Sequence, residues 1–87
     1  DLSGVPLEKA NFAGADLSYA DMSRANLKMA DLSHAKVMRA RFDGADLTLA
    51  NGHAVNFRDA SMSGAVTEGL RPTDERLLKA ENFMKKD

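Results

Sequence analysis

Cysteine is absent from these 87 residues, and so is tryptophan. The first absence excludes a disulfide framework and any thiolate-based metal site, and it is compatible with a reducing compartment. Neither sign of charge prevails, because the formal net charge is −1. That balance argues against a strongly basic nucleic-acid binder and equally against a strongly acidic mimic. Long apolar runs are missing too. No stretch approaches membrane-spanning length, and no signal-peptide pattern is present. The expectation is therefore no membrane and no nucleic acid.

What the chain does have is a beat of five. Large apolar residues recur at Leu2, Leu7, Phe12, Leu17, Met22, Leu27, Leu32, Val37, Phe42, Leu47, Phe57 and Met62. Two positions ahead of each runs a smaller file, mostly alanine, from Val5 and Ala10 through Ala60 and Ala65. A period of five matches neither the helical repeat of ~3.6 nor the strand repeat of ~2. The chain must turn a corner once per repeat and rest each unit on its neighbours, which is the pattern of a solenoid. Both files are read as inward-facing, with the large residues forming the structural core. Between them stand Asp1, Asn11, Asp16, Asp21, Asn26, Asp31, Asp46 and Asn56, whose side chains bond nearby backbone at corners. Gly4, Gly14, Gly44 and Gly64 fall where a type II turn needs positive φ.

The charges decide how many sides a coil has. Stacked coils lie ~4.8 Å apart, so residues one coil apart should not repel. Four units per coil set Glu8 over Lys28, Asp16 over Lys36, Asp21 over Arg41 and Arg39 over Asp59. Three units per coil would instead stack Asp1, Asp16, Asp31 and Asp46 in one file. The expected fold is an all-β solenoid, a right-handed quadrilateral parallel β-helix of about three coils. Gly52 interrupts the core file; Val55 and Phe57 are expected to refill the volume, with a bulge or small cavity as the alternative.

The beat ends after Ala65. Residues 1–66 are read as the solenoid and 67–72 as a connector marked by Gly69 and Pro72. Residues 73–87 are read as a terminal helical segment that either caps the last coil or dimerises. Its helix is expected over Thr73 to Lys85, with Thr73 or Asp74 as N-cap and Lys85 and Lys86 at the negative end. As a cap it would shield Phe57, Met62 and Leu47. The other end, beginning in register at Asp1, is expected to meet a protein partner or an upstream domain.

Candidate sites are few. His34 and His53 lie one coil apart near Asp31 and Asn51, a set with the donor types of a metal site. The reading favoured for them is two ordinary surface histidines. Met29 and Leu49 stack as an outward apolar pair, and with Leu77 and Met84 of the tail they form the candidate contact surface. Tyr19, Arg39 and Asp59 make an outward file that suits a cation–π contact and an ion pair. Catalysis finds no support: the serines have no positioned base, the carboxylates do not converge, and a solid core leaves no pocket. No enzyme, cofactor or metal is expected.

Residues 15 to 34 read Ala-Asp-Leu-Ser-Tyr, Ala-Asp-Met-Ser-Arg, Ala-Asn-Leu-Lys-Met, Ala-Asp-Leu-Ser-His. This run resembles the pentapeptide-repeat family, with its loose consensus A-(D/N)-L-X-X. The resemblance implies the same right-handed square β-helix and no single activity. Its best understood members protect DNA gyrase from quinolones by imitating DNA. They are longer, strongly acidic rods, whereas the charges here nearly cancel. The expected function is a non-enzymatic structural or protein-interaction module, forming the C-terminal part of a larger bacterial protein. A DNA-mimicking gyrase modulator is the alternative. A homodimer through the tail is a further expectation. The expected location is cytoplasmic, with a secreted effector or secretion-system component as the alternative.

Overall fold

The structure is a computed structural model that describes residues 1–85. Lys86 and Asp87, part of the expected terminal segment, lie outside the described residues.

The backbone turns a corner in every five residues and closes a coil in every twenty. Parallel β-bridges join Pro6 to Asn26, Asn11 to Asp31, Asp16 to Lys36 and Asp21 to Arg41, and the same spacing continues down the rod. Four sides per coil follow directly. The register that the charges selected is the register observed. Phe12 and Leu32 share a wall, with the Phe12 amide donating to the Asp31 carbonyl at 2.7 Å. Leu2, Leu7, Leu17, Met22, Leu27, Leu32, Phe42 and Leu47 donate their N–H groups to the coil below in the same way, and sides close on themselves through turns such as Ala30 N–H to Leu27 O at 3.0 Å.

The ladder runs further than the beat suggested. Val66 pairs with Asp46 and Arg71 pairs with Asn51, while Leu70 N–H closes a turn on Thr67 O at 3.1 Å. Residues 67–71 thus continue the solenoid, and the expected connector is wall. Thr67 stands at the large position and Leu70 at the small one, so the geometry persists after the composition changes.

The corners are held as the Asp and Asn file implied. Oδ1 of Asp16, Asp21, Asn26, Asp31 and Asp46 each accepts the amide two residues on, at 3.0–3.1 Å. Ser61 is too short for that task. Asp43, from the coil above, accepts its hydroxyl and takes the Ser63 amide at 3.1 Å instead.

The turn demands positive φ whatever residue stands there. Lys9, Tyr19, Arg24, Met29, His34, Arg39, Leu49 and Ala54 all adopt φ between 55° and 66°, beside Gly4, Gly14, Gly44, Gly64 and Gly69. Non-glycine residues are costly in that region, by roughly 1–2 kcal/mol each. The stacked ladder overrides that cost.

The core is a column from Leu17 to Val55. Met22, Leu27, Leu32, Phe42 and Leu47 are fully buried, as are Ala25, Ala30, Ala40, Ala45 and Ala50. Leu2, Leu7 and Phe12 at one end, and Phe57 and Met62 at the other, are only partly buried, since each end coil has a neighbour on one side. Burying each large side chain contributes roughly 1.5–3 kcal/mol.

Gly52 is filled around from two directions. A Cβ there would lie 2.8 Å from the Arg71 carbonyl oxygen and 3.3 Å from both Leu70 Cδ1 and Phe57 Cε2. Phe57 refills the gap as expected, crossing Phe42 edge-on at 6.0 Å between centroids. Leu70 is the contributor that the beat did not reveal. Gly52 itself keeps the register, and a bulge lies one unit further on. Arg39 N–H reaches Asp59 O at 3.1 Å, one residue beyond the register kept by His34 N–H and His53 O at 2.9 Å. Asp59 is also the one residue at its turn position outside the left-handed region. One extra residue on one strand, with a local break in pairing, defines a β-bulge.

Among the described residues there is one helix, α1, which spans Glu75–Lys85. Asp74 is its N-cap: Oδ1 accepts the Arg76 and Leu77 amides at 3.1 Å. Leu77, Phe83 and Met84 are exposed, and Phe57 and Met62 stay half-buried. The helix thus leaves open the end residues it was expected to shield, and Leu47 owes its burial to the coils around it.

Candidate functional site

The polar centre of the molecule lies where α1 meets the rod. His53 is 6% exposed, and its ring is held at both nitrogens. The Asp74 amide donates to Nδ1 at 3.0 Å, and Nε2 lies 3.0 Å from Glu81 Oε1. His34, one coil up, places its own Nε2 3.0 Å from the same carboxylate oxygen. The two imidazoles meet edge-to-face, 5.2 Å between centroids. Beside them the Ala54 amide donates to Thr73 Oγ1 at 3.1 Å. The pair expected to be ordinary surface histidines is a clamp on the helix. Hydrogen bonds from His53 and then His34 hold the Glu81 carboxyl below the usual glutamate range.

Two imidazoles and a carboxylate, their ligand atoms all within 4.8 Å of one another, match the donor set of a zinc site. The hydrogen bonding opposes that reading. An imidazole that accepts the Asp74 amide at Nδ1 carries its proton on Nε2 when neutral, so the atom facing Glu81 is a donor. Metal-bound histidines usually show the reverse, with the other nitrogen donating to an acceptor. Asp31 and Asn51 do not join the group either: their Oδ1 atoms are taken by Ser33 and the His53 amide. The cluster is best described as a hydrogen-bonded clamp.

The remaining candidates separate on inspection. Met29, Leu49, Leu77 and Met84 are all exposed, with Leu49 leaning over Gly69. Tyr19 is exposed, and among the described residues it makes no cation–π contact with Arg39, nor does Arg39 pair with Asp59. The charge files follow the same lesson. Lys28 reaches Asp46 at 3.7 Å and Arg41 reaches Asp43 at 3.4 Å, off the vertical, while after hydrogen bonds from Ser18 and Ser23, Lys36 and Arg41 still help hold down the Asp16 and Asp21 carboxyls one coil away. The expectation of no pocket needs correcting at the surface. A cleft of about 290 Å³ opens beside the bulge, lined by His34, Lys36, Met38, Asn56 and Asp59 among others. Ser18 and His34 both line the cleft, and among the described residues no hydrogen bond joins the serine to the imidazole.

Comparison with known proteins agrees with this architecture. The family model for pentapeptide repeats matches in eight copies, over residues 1–37 and 30–66. No curated protein matches the chain. Among solved structures it is similar to the pentapeptide repeat protein Rfr23 from the cyanobacterium Cyanothece 51142. Identity is 30% at a TM-score of 0.70, covering 85% of this chain and 54% of that one. This chain therefore spans about half the length of that relative. HetL from Nostoc sp. strain PCC 7120, a pentapeptide repeat protein involved in heterocyst differentiation regulation, is also similar. It is 28% identical at a TM-score of 0.36, covering 79% of this chain and 40% of HetL; its weak superposition supports no further comparison. Such proteins fold as right-handed quadrilateral β-helices and serve in general as structural or interaction modules. With twenty-residue coils, an Asp/Asn corner file and an alanine file inside, this chain belongs to the pentapeptide repeat family.

Proposed function

We propose that this chain is a non-enzymatic, protein-binding module within a larger bacterial protein, and that its first coil is the docking edge. One observation carries the reading: among the described residues, the coil that holds Leu2, Leu7 and Phe12 has an uncovered edge, whereas α1 is held against the coils on the other side. Beyond the last coil, α1 is tied down by Asp74, Glu81 and the two histidines. At the coil with the uncovered edge, Leu2, Leu7 and Phe12 remain half-buried, and the amides of Asn11 and Asp16 have no backbone acceptor among the described residues. On inner coils the equivalent amides are paired, as Asp31 N–H is with Ala10 O at 2.9 Å. An edge with free backbone groups and half-covered apolar residues favours another parallel coil or a partner strand. Pro6 has no N–H to offer, which leaves the other sides of that edge to supply the donors. The greater length of Rfr23 is in keeping with further coils.

The test is to place a designed twenty-residue coil in register ahead of Asp1. The thermal midpoint is expected to rise, and the Asn11 and Asp16 amides to gain protection from hydrogen exchange. Unchanged protection would refute the docking edge. A DNA supercoiling assay with gyrase is expected to show no effect, and inhibition there would overturn the module reading in favour of DNA mimicry.

A further inference from the structure

One rung of the ladder is open, and charged groups surround it. Between His34–His53 and Arg39–Asp59 the second coil spends five residues and the third spends six. The bonds that should join Val37 to Asn56 and Asn56 to Ala35 are missing. The N–H groups of Val37 and Asn56 and the Ala35 carbonyl have no backbone partner among the described residues. Val37 is 2% exposed and Ala35 is 5% exposed. Asn56 is exposed, but buried backbone groups are almost always paired, so the Val37 amide and the Ala35 carbonyl point to something that binds there. The 290 Å³ cleft lies at this rung. Lys36 and Asp59 stand in its wall with opposite charges, and neither has an ion-pair partner within 4.0 Å among the described residues. Val37, Met38 and Ala54 supply apolar wall between them.

We propose that this open rung binds a small zwitterion of the amino-acid class. Its carboxylate would face the Lys36 ammonium and the free amides of Val37 and Asn56. Its ammonium would face Asp59 and the Ala35 carbonyl. Charge-assisted bonds of this kind are roughly twice as strong as neutral ones. The cleft is just under the usual lower limit of ~300 Å³ for ligand pockets, which restricts the ligand to a few heavy atoms. The site goes beyond the docking edge proposed above and shares no residue with it.

The experiment is a glycine titration of the isotope-labelled protein, followed at the Val37 and Asn56 amides, with acetate and methylammonium as half-ligands. Saturable shifts at both amides are expected with glycine, and binding about tenfold or more weaker with either half-ligand. Lys36→Gln and Asp59→Asn are each expected to weaken glycine binding by about tenfold, with spectra otherwise unchanged because both side chains are exposed. Absence of saturable shifts, an equal response to sodium chloride, or unchanged affinity in both variants would overturn the proposal.

Discussion

The backbone amide of Asp74 donates to Nδ1 of His53 at 3.0 Å. That one bond joins the helix cap to the wall of the rod and sets the imidazole proton on Nε2, aimed at Glu81. Because Leu77, Phe83 and Met84 bury little, the polar contacts rather than an apolar face anchor α1.

His53→Ala should therefore loosen α1 while the coils persist. A cost of about 1–3 kcal/mol is expected, since a buried acceptor and a charge-assisted bond are lost together. His34→Ala, which removes a half-exposed partner, should cost less. Hydrogen exchange at Leu77 and Leu78 would read this directly. Equal protection in His53→Ala and the native chain would exclude the clamp.

The corner aspartates make stability fall in acid. Ser23, Ser33 and Thr48 donate hydroxyl and amide to Asp21, Asp31 and Asp46, and each carboxyl is held below the usual aspartate range. Folded values below unfolded ones mean that the unfolded chain takes up protons first as pH falls. The contribution is complete above the unfolded value and is lost as pH drops through the folded ones. Glu81 acts in the same sense, held below the usual glutamate range first by its hydrogen bond with His53. Thermal midpoints recorded from neutral pH downward should stay level and then decline in that acidic window. Ser23→Ala and Ser33→Ala should lower the neutral-pH midpoint and make the acid decline shallower, because the folded carboxyls then lie nearer their unfolded values.

Gly14→Ala isolates the turn. A Cβ there meets nothing within 4 Å, yet φ is +71°. A loss of about 1–2 kcal/mol from backbone conformation alone is expected. Lys9→Gly, at φ 63° and exposed, should be neutral or slightly stabilising. Urea midpoints for the two variants should shift in opposite directions, or the second should not move.

Gly52→Ala tests filling instead. Its Cβ would sit 2.8 Å from the Arg71 carbonyl, which is backbone and paired with the Gly52 amide at 2.9 Å. Overpacking of this kind costs typically ~1–3 kcal/mol. Calorimetry should show a lower midpoint, and loss of the Gly52–Arg71 bond should appear first in exchange at Gly52.

Leu32→Lys should unfold the rod, because Leu32 is wholly buried. Ala13→Lys, at an exposed outward position, should leave the melting curve in place. Equal tolerance of both would exclude the inward assignment.

The period, the four sides and the Asp/Asn corners were legible because each follows from the repeat itself. Phe12 and Leu32 share a wall for the same reason that Asp16 and Lys36 do. What the repeat does not contain was harder to read. His34 and His53 are one residue short of a full coil apart, so the two rings meet on the diagonal, and Glu81 lies on a helix with no repeat phase. Gly52 in the core file and Val55 in the alanine file marked the region of the bulge, but not its place beside Asn56. The left-handed conformations of Tyr19 and Leu49 escaped because the stack, rather than the residue, sets them. Long side chains broke the vertical pairing: Lys28 had a second carboxylate, Asp46, within reach besides Glu8.

Asp43 serves a corner that is not its own, taking Ser61 and Ser63 on the following coil. Storeys of this rod are consequently not interchangeable cassettes. Excising or copying twenty residues would preserve the stacked walls yet could part that carboxylate from the two serines it serves. Such a chain has to lengthen at sites that leave borrowed supports intact, which makes its individual floors traceable even though their plan is the same.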